Sequence, residues 1–273
     1  MGFNSPRGYF LDMYPEIDIG PITLQTFGLM FGLGFVAAGF LIARRFGELG
    51  RPPDWAYEMA FVALLGGLIG SRLDFLIQNW SDVKGDVLGS LFSGSGLVWY
   101  GGAIGGAIAV MLWARLRGIL GLGLLDLAAA PLALGYAVGR IGCQVSGDGD
   151  YGKPWDGPWA MAYPNGTVPT DEQVHPTPVY ESLAMLLVAF VLWRLRDRFR
   201  PGLLFAIYLV AAGIERFLVE FIRRNSDVAL GLTQAQLLSL AMVLAGAGWI
   251  AMARSRGSLA AREGDPPRFA RAA

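Results

Sequence analysis

Residues Leu122–Gly152 read LGLLDLAAAPLALGYAVGRIGCQVSGDGDYG. The first part is an apolar run of the length a membrane-crossing helix needs, roughly 17 to 25 residues. From Gly139 the character changes, and Arg140, the chain's only cysteine (Cys143), Asp148 and Asp150 appear among five glycines. An apolar helix that ends in an arginine and opens into a glycine-rich acidic loop sets the fold class. It also marks where chemistry collects, at one surface of a membrane.

The rest of the 273 residues agrees with that reading. Hydrophobic residues make up 54% and charged residues 16%, which is outside the range of ordinary soluble domains and points to a polytopic membrane protein. With 22 basic and 22 acidic residues the formal net charge is zero, so no global field attracts nucleic acid, and membrane lipids are the expected surroundings. A single cysteine and a single histidine, His175, exclude an internal disulfide and a Cys- or His-rich metal set. No metal and no cofactor is expected. The opening MGFNSPRGYFLDMYPEID has no basic segment followed by an apolar one, so no removable signal is expected.

Seven spans are predicted, near Ile22–Ala43, Trp55–Gln78, Leu97–Ala114, Leu122–Val138, Val179–Trp193, Leu203–Phe221 and Ala235–Ala253. Arginines follow the first (Arg44, Arg45, Arg51), third (Arg115, Arg117), fifth (Arg194, Arg196, Arg198, Arg200) and seventh (Arg254, Arg256). Basic residues concentrate on the cytoplasmic side, so the expected topology is N-terminus outside and C-terminus cytoplasmic. The fold expected is all-α, one transmembrane helical domain over residues 1–254 with an outer-face loop at 143–175. A cytoplasmic, disordered tail at 255–273 completes it. Glycines at four-residue spacing, such as Gly28 and Gly32, Gly66 and Gly70, and Gly101 and Gly105, suit close helix contacts in lipid.

Charges inside spans cost on the order of 2.5 to 3.5 kcal/mol at a helix centre, so each asks for a reason. Arg72 and Asp74 sit late in the second span, and Glu215, Arg216 and Glu220 in the second half of the sixth. Residues 216, 220 and 223 fall at i, i+4 and i+7, one helical face that alternates basic, acidic and basic. Arginine offers a planar, permanently charged fork that matches phosphate oxygens. Arg72, Arg140, Arg216 and Arg223, all predicted in the outer half, would hold an anionic phospholipid. Gly147, Gly149 and Gly152 match a dinucleotide fingerprint in spacing alone, because they follow an apolar helix and not a strand. Asp148 and Asp150 begin like a calcium loop, but Gly152 stands at the third ligand position.

Several segments together resemble the bacterial prolipoprotein diacylglyceryl transferases. GRIGCQVSGDGDYG is similar to that family's signature, Gly-Arg-x-Gly-Asn-Phe-x-Asn-x-Glu with a later glycine. QTFGLMFGLGF resembles its first-span motif, GSRL its Gly-x-Arg and LVWYGGAIGG its His-Gly-Gly segment. HPTPVYES resembles its His-Pro-x-Gln-x-Tyr-Glu segment, and ERFLVEFIRR its Arg-Phe-x-x-Glu-Phe-x-Arg. The resemblance implies seven spans in the bacterial cytoplasmic (inner) membrane and an active site facing the outer leaflet. It implies transfer of the diacylglyceryl group of phosphatidylglycerol to the lipobox cysteine of preprolipoproteins, giving a thioether and glycerol 1-phosphate. Arg140 and Arg216 would bind the phosphate, Glu220 would orient Arg216, and Asp148 would stand for the signature acid with Gly152 as its closing glycine. Phospholipid binding would also draw on Arg72, Arg223, Ser146, Phe27, Gly101, Gly102 and His175.

This chain departs from the pattern where Cys143 and Ser146 replace asparagines, Asp148 replaces glutamate, Phe27 a tyrosine, Tyr100 a histidine and Pro178 a glutamine. Tyr100 or Asp148 is then the expected base for the acceptor thiol, which near neutral pH is mostly protonated. Two alternatives remain at this stage. One is a paralogous transferase with another lipid donor or acceptor, and the other is a lipid or solute transporter, whose path would need polar residues on the cytoplasmic half, where only Tyr57, Glu58 and Asp126 stand near span ends.

Overall fold

The run ITLQTFGLMFGLGFVAAGFLIARR, Ile22–Arg45, is apolar almost throughout, and pattern alone does not say where in it a helix begins. The computed structural model, which describes residues 13–85, 98–257 and 259–261, begins α1 (Thr26–Glu48) at Thr26. The preceding Ile22–Gln25 is a strand, β2, paired antiparallel with β1 (Glu16–Ile19) across a turn at Gly20. The first expected span thus gives up its opening residues to a hairpin.

Six further long helices follow among the described residues: α2 (Trp55–Gln78), α4 (Trp99–Leu116), α5 (Leu122–Ser146), α6 (Thr177–Leu195), α7 (Leu203–Glu220) and α8 (Gln234–Ser255), with α3 (Trp80–Val83) a single turn. Five of the seven, α1, α2, α5, α6 and α8, are long and apolar enough to cross a membrane. The apolar part of α4 is shorter, and α7 carries Glu215, Arg216 and Glu220. The fold is mostly helical and not purely so. Two more antiparallel hairpins, β3 (Met161–Tyr163) with β4 (Thr170–Val174) and β5 (Asp227–Ala229) with β6 (Leu232–Thr233), lie in the connections. Leu97, expected to open the third span, and residues 262–273 of the expected tail lie outside the described residues. Nearer the helix, the Ala261 N–H donates to the Arg198 carbonyl at 3.0 Å and the Arg200 N–H to that of Leu259 at 3.2 Å.

The described residues fall into two compact units, 13–41 with 125–261, and 42–124. In the second, α2 and α4 meet backbone to backbone: a Cβ on Gly105 would sit 2.8 Å from Gly70 Cα, so only glycine allows this approach. Asp74 Oδ2 accepts the Gly101 N–H at 3.0 Å and caps the first turn of α4. At the other end Glu58 accepts from Trp113 Nε1 at 2.9 Å and from both nitrogens of the Arg117 fork. The charges Asp74 and Glu58 are thereby tied to structure.

In the first unit, Ala129, Ala133 and Ala137 form a stripe at i, i+4 on α5 that lets Met185, Ala189 and Leu192 of α6 pack close, together with Leu204 and Ala212 of α7. Gly34 of α1 meets Gly135 of α5, whereas a Cβ at Gly28 or Gly32 would meet nothing within 4 Å among the described residues. The helix-contact role expected of Gly28 and Gly32 therefore falls to Gly34. Asp126, 4% exposed, accepts the backbone N–H groups of Gly202 and Phe205, both at 2.9 Å, and so caps α7 from a neighbouring helix. Pro176 stands just before α6 and Pro178 in its first turn, where a missing N–H costs nothing. A reciprocal box between Thr233 and Gln236 starts α8.

Candidate functional site

The helix α5 runs past Val138 to Ser146, so Arg140 and Cys143 sit in its last turns and the loop begins at Gly147. Tyr136 and Arg140 are four residues apart and share a face, with the Arg140 guanidinium 4.9 Å from the Tyr136 ring centroid. Facing them is Glu181, in the second turn of α6 and 0% exposed. Its Oε2 accepts the Tyr136 hydroxyl at 2.9 Å and pairs with Arg140 Nε. Its Oε1 accepts from Arg223 Nη1 at 3.0 Å and lies 3.4 Å from Arg216 Nη1. One buried carboxylate thus gathers three arginines from two helices and the residues after α7.

Two further acids complete the set. Glu220 Oε2 pairs with Arg216 Nη2 at 2.7 Å across one helical turn, and its Oε1 accepts from Asn225 Nδ2 at 2.5 Å and Thr233 Oγ1 at 2.8 Å. Asp150 pairs with Arg140 through one oxygen and with Arg223 through the other. Its side chain is 33% exposed, against 0% for Glu181 and Glu220. Burial alone would raise the Asp150 pKa, but the two guanidiniums overcome it and hold the carboxyl below its ordinary value. Three guanidiniums therefore pair with three carboxylates, and the arginine forks are already shaped for oxyanions.

Loop geometry decides which acid reaches the arginines. Gly147 and Gly149 take φ of +58° and +93°, conformations that side chains resist, and the intervening turn is closed by the Asp150 N–H donating to Asp148 Oδ1 at 3.2 Å. This aims Asp150 inward and leaves Asp148 beside Cys143, whose Sγ and the carboxylates of Asp148 and Asp150 lie within 4.8 Å of one another. The guanidiniums already bound to Asp150 oppose a cation at that spot. Gly152 is pressed between elements: its N–H donates to the His175 carbonyl at 2.8 Å, and a Cβ there would lie 2.9 Å from both His175 Cβ and Thr177 Cγ2. His175 stacks on Trp155 with ring centroids 4.4 Å apart, and Trp159 Nε1 donates to the Tyr180 hydroxyl at 2.7 Å.

Of the residues singled out by sequence, Arg140, Arg216, Arg223 and Glu220 come together around Glu181, with Gly152 and His175 in the adjoining loop. Ser146 is buried at the end of α5, its hydroxyl 3.4 Å from the Cys143 carbonyl. Phe27 is in the first turn of α1, and its carbonyl passes 3.5 Å from where a Gly142 Cβ would be. Arg72, Tyr100, Gly101 and Gly102 belong to the second unit, the last three in the first turn of α4. Three members of the cluster were not anticipated. Glu181 reads in sequence as an interfacial group at a span entry, yet an acid so deep in an apolar helix needs partners. Asp150 is masked by its neighbour Asp148, and Tyr136 carries no charge to mark it.

The family model for prolipoprotein diacylglyceryl transferase matches residues 16–252. Among curated relatives, the phosphatidylglycerol–prolipoprotein diacylglyceryl transferase of Clostridium tetani is 34% identical over 239 residues, 83% of this chain and 94% of that protein. The protein of the same name from Chromohalobacter salexigens is 36% identical over 249 residues, 85% of this chain and 91% of its own length. That of Methylococcus capsulatus is 34% identical over 265 residues, covering 90% and 98%. Agreement over this much of the length makes the chain a member of the prolipoprotein diacylglyceryl transferase family.

Proposed function

We infer that this chain is a phosphatidylglycerol–prolipoprotein diacylglyceryl transferase of a bacterial membrane. The observation that carries the reading is the family match over residues 16–252, with full-length relatives of that one name. The acceptor is the lipobox cysteine of a preprolipoprotein and the donor is phosphatidylglycerol. The N-terminus and the arginine cluster lie on the outer face in this reading, and the arginine-rich span ends on the cytoplasmic one.

The cluster supports phosphate chemistry. A phosphodiester carries one negative charge, as Asp150 does, so a donor phosphate can take the place of that half-exposed carboxylate on Arg140 and Arg223 without changing the net charge. Glu181 and Glu220, fully buried, remain as counter-ions that hold the forks in position. In the transfer, the acceptor sulfur forms a bond to the terminal glyceryl carbon of the diacylglyceryl group. The bond from that carbon to the phosphate oxygen breaks, its electron pair stays on the phosphate, and glycerol 1-phosphate leaves. Arg140, Arg216 and Arg223 stabilise the charge that gathers there, as preorganised donors in a water-poor site do best. The thiol proton goes to Asp148, which makes no ion pair among the described residues.

Purified protein, phosphatidylglycerol and a lipobox peptide should yield a thioether-linked product by mass spectrometry, and Arg140→Ala and Arg216→Ala should abolish it. Undiminished product from both variants would sink the arginine mechanism. Lipid flux without covalent product would instead favour a transporter.

A further inference from the structure

Both connections that lead directly into α1 and α8 are hairpins with aliphatic side chains left uncovered. In β1–β2 the register sets Ile17 opposite Leu24 and Ile19 opposite Ile22, while Glu16 faces Gln25 and Asp18 faces Thr23. Alternation along a strand puts the first two pairs on one face and the last two on the other. The polar face is satisfied within itself, with Thr23 Oγ1 donating to Asp18 Oδ1 and Gln25 Nε2 to Glu16 Oε1, both at 2.7 Å. The aliphatic face is exposed at all four residues. In β5–β6, Val228 and Leu230 are exposed, Leu230 to 93% and at φ +57°, a conformation a leucine adopts only under constraint.

An isolated two-stranded hairpin is marginal in water, and an uncovered aliphatic face makes it worse. Each of these hairpins, however, continues without a break into a helix long and apolar enough to cross a membrane. Phe27 and Phe31, in the first two turns of α1, are exposed as well. We propose that the two hairpins grip the bilayer at the boundary between headgroups and acyl chains, with Ile17, Ile19, Ile22, Leu24, Val228 and Leu230 in the lipid and the Asp18–Thr23 face in water. The occupant of the apolar face is lipid, which continues from the surface of the adjoining helix.

The test uses the full chain in vesicles of phosphatidylglycerol and phosphatidylcholine. Single cysteines are introduced as Ile19→Cys, Leu230→Cys and, on the opposite face, Asp18→Cys. Each is labelled with an environment-sensitive fluorophore, the native Cys143 being buried. Labels at 19 and 230 are expected to shift to the blue, to be quenched by lipids brominated high on the acyl chain and to be shielded from aqueous iodide. The label at 18 should behave in the opposite way. Iodide quenching at 19 and 230 equal to that at 18 would overturn the proposal. So would shielding from both quenchers, which would mean that protein covers the face.

Discussion

Asp150 holds two arginine forks from a loop, and of the three carboxylates in the cluster it is the one solvent reaches most easily. If a donor phosphate must displace it, its charge competes with substrate. Asp150→Asn should therefore lower the KM for phospholipid by about tenfold, equivalent to about 1.4 kcal/mol, as measured by steady-state transfer to a lipobox peptide. A higher KM would show that Asp150 aids donor binding. By contrast, Glu181→Gln leaves the buried Arg223 and the part-buried Arg140 and Arg216 short of an anion, and breaking a buried pair costs on the order of 3–5 kcal/mol. At this scale the arginines were legible, because a charge in an apolar span stands out. The choice between Asp148 and Asp150 was not, since it rests on backbone turns at Gly147 and Gly149 that composition does not encode.

Gly202, at φ +93° just before α7, has no side chain to cap the helix, and Asp126 of α5 does that work from outside. Asp126→Ala would leave two N–H groups buried without an acceptor, at about 1–3 kcal/mol each. The variant should unfold at a lower temperature in detergent, with Asp126→Asn keeping part of the loss back; an unchanged transition would refute the capping role. From sequence Asp126 was only a charge near a span end, because its partner helix lies far along the chain. Helix existence was readable from apolar length, but ends were not. Arg140 looked like a terminus, yet α5 continues because that guanidinium finds the Tyr136 ring and Glu181. Ile22–Gln25 looked like helix because an apolar run of that length suits a strand equally well.

For the molecule as a whole, one pH-sensitive group lies outside the arginine cluster, in the loop before α6. Burial lowers the pKa of His175 from its ordinary value of about 6.5. The folded chain then binds this proton less readily than the unfolded one. Stability from His175 is complete above about pH 6.5 and is lost as pH falls through the lower, folded-state value. The Asp150 pairs follow the same sign at more acid pH, present above the carboxylate's ordinary pKa of about 3.9 and lost below its depressed one. Melting temperature should fall between about pH 7 and pH 5 in the parent and fall less in His175→Asn; parallel curves would exclude His175 as the source. Another feature bears on how this fold can vary. Asn225, before β5, and Thr233, the last residue of β6, both donate to the same oxygen of Glu220. The segment between them is closed like a clasp, so residues 226–232 can change in length or composition, and adapt to a different membrane, while Arg216 stays where Glu220 holds it.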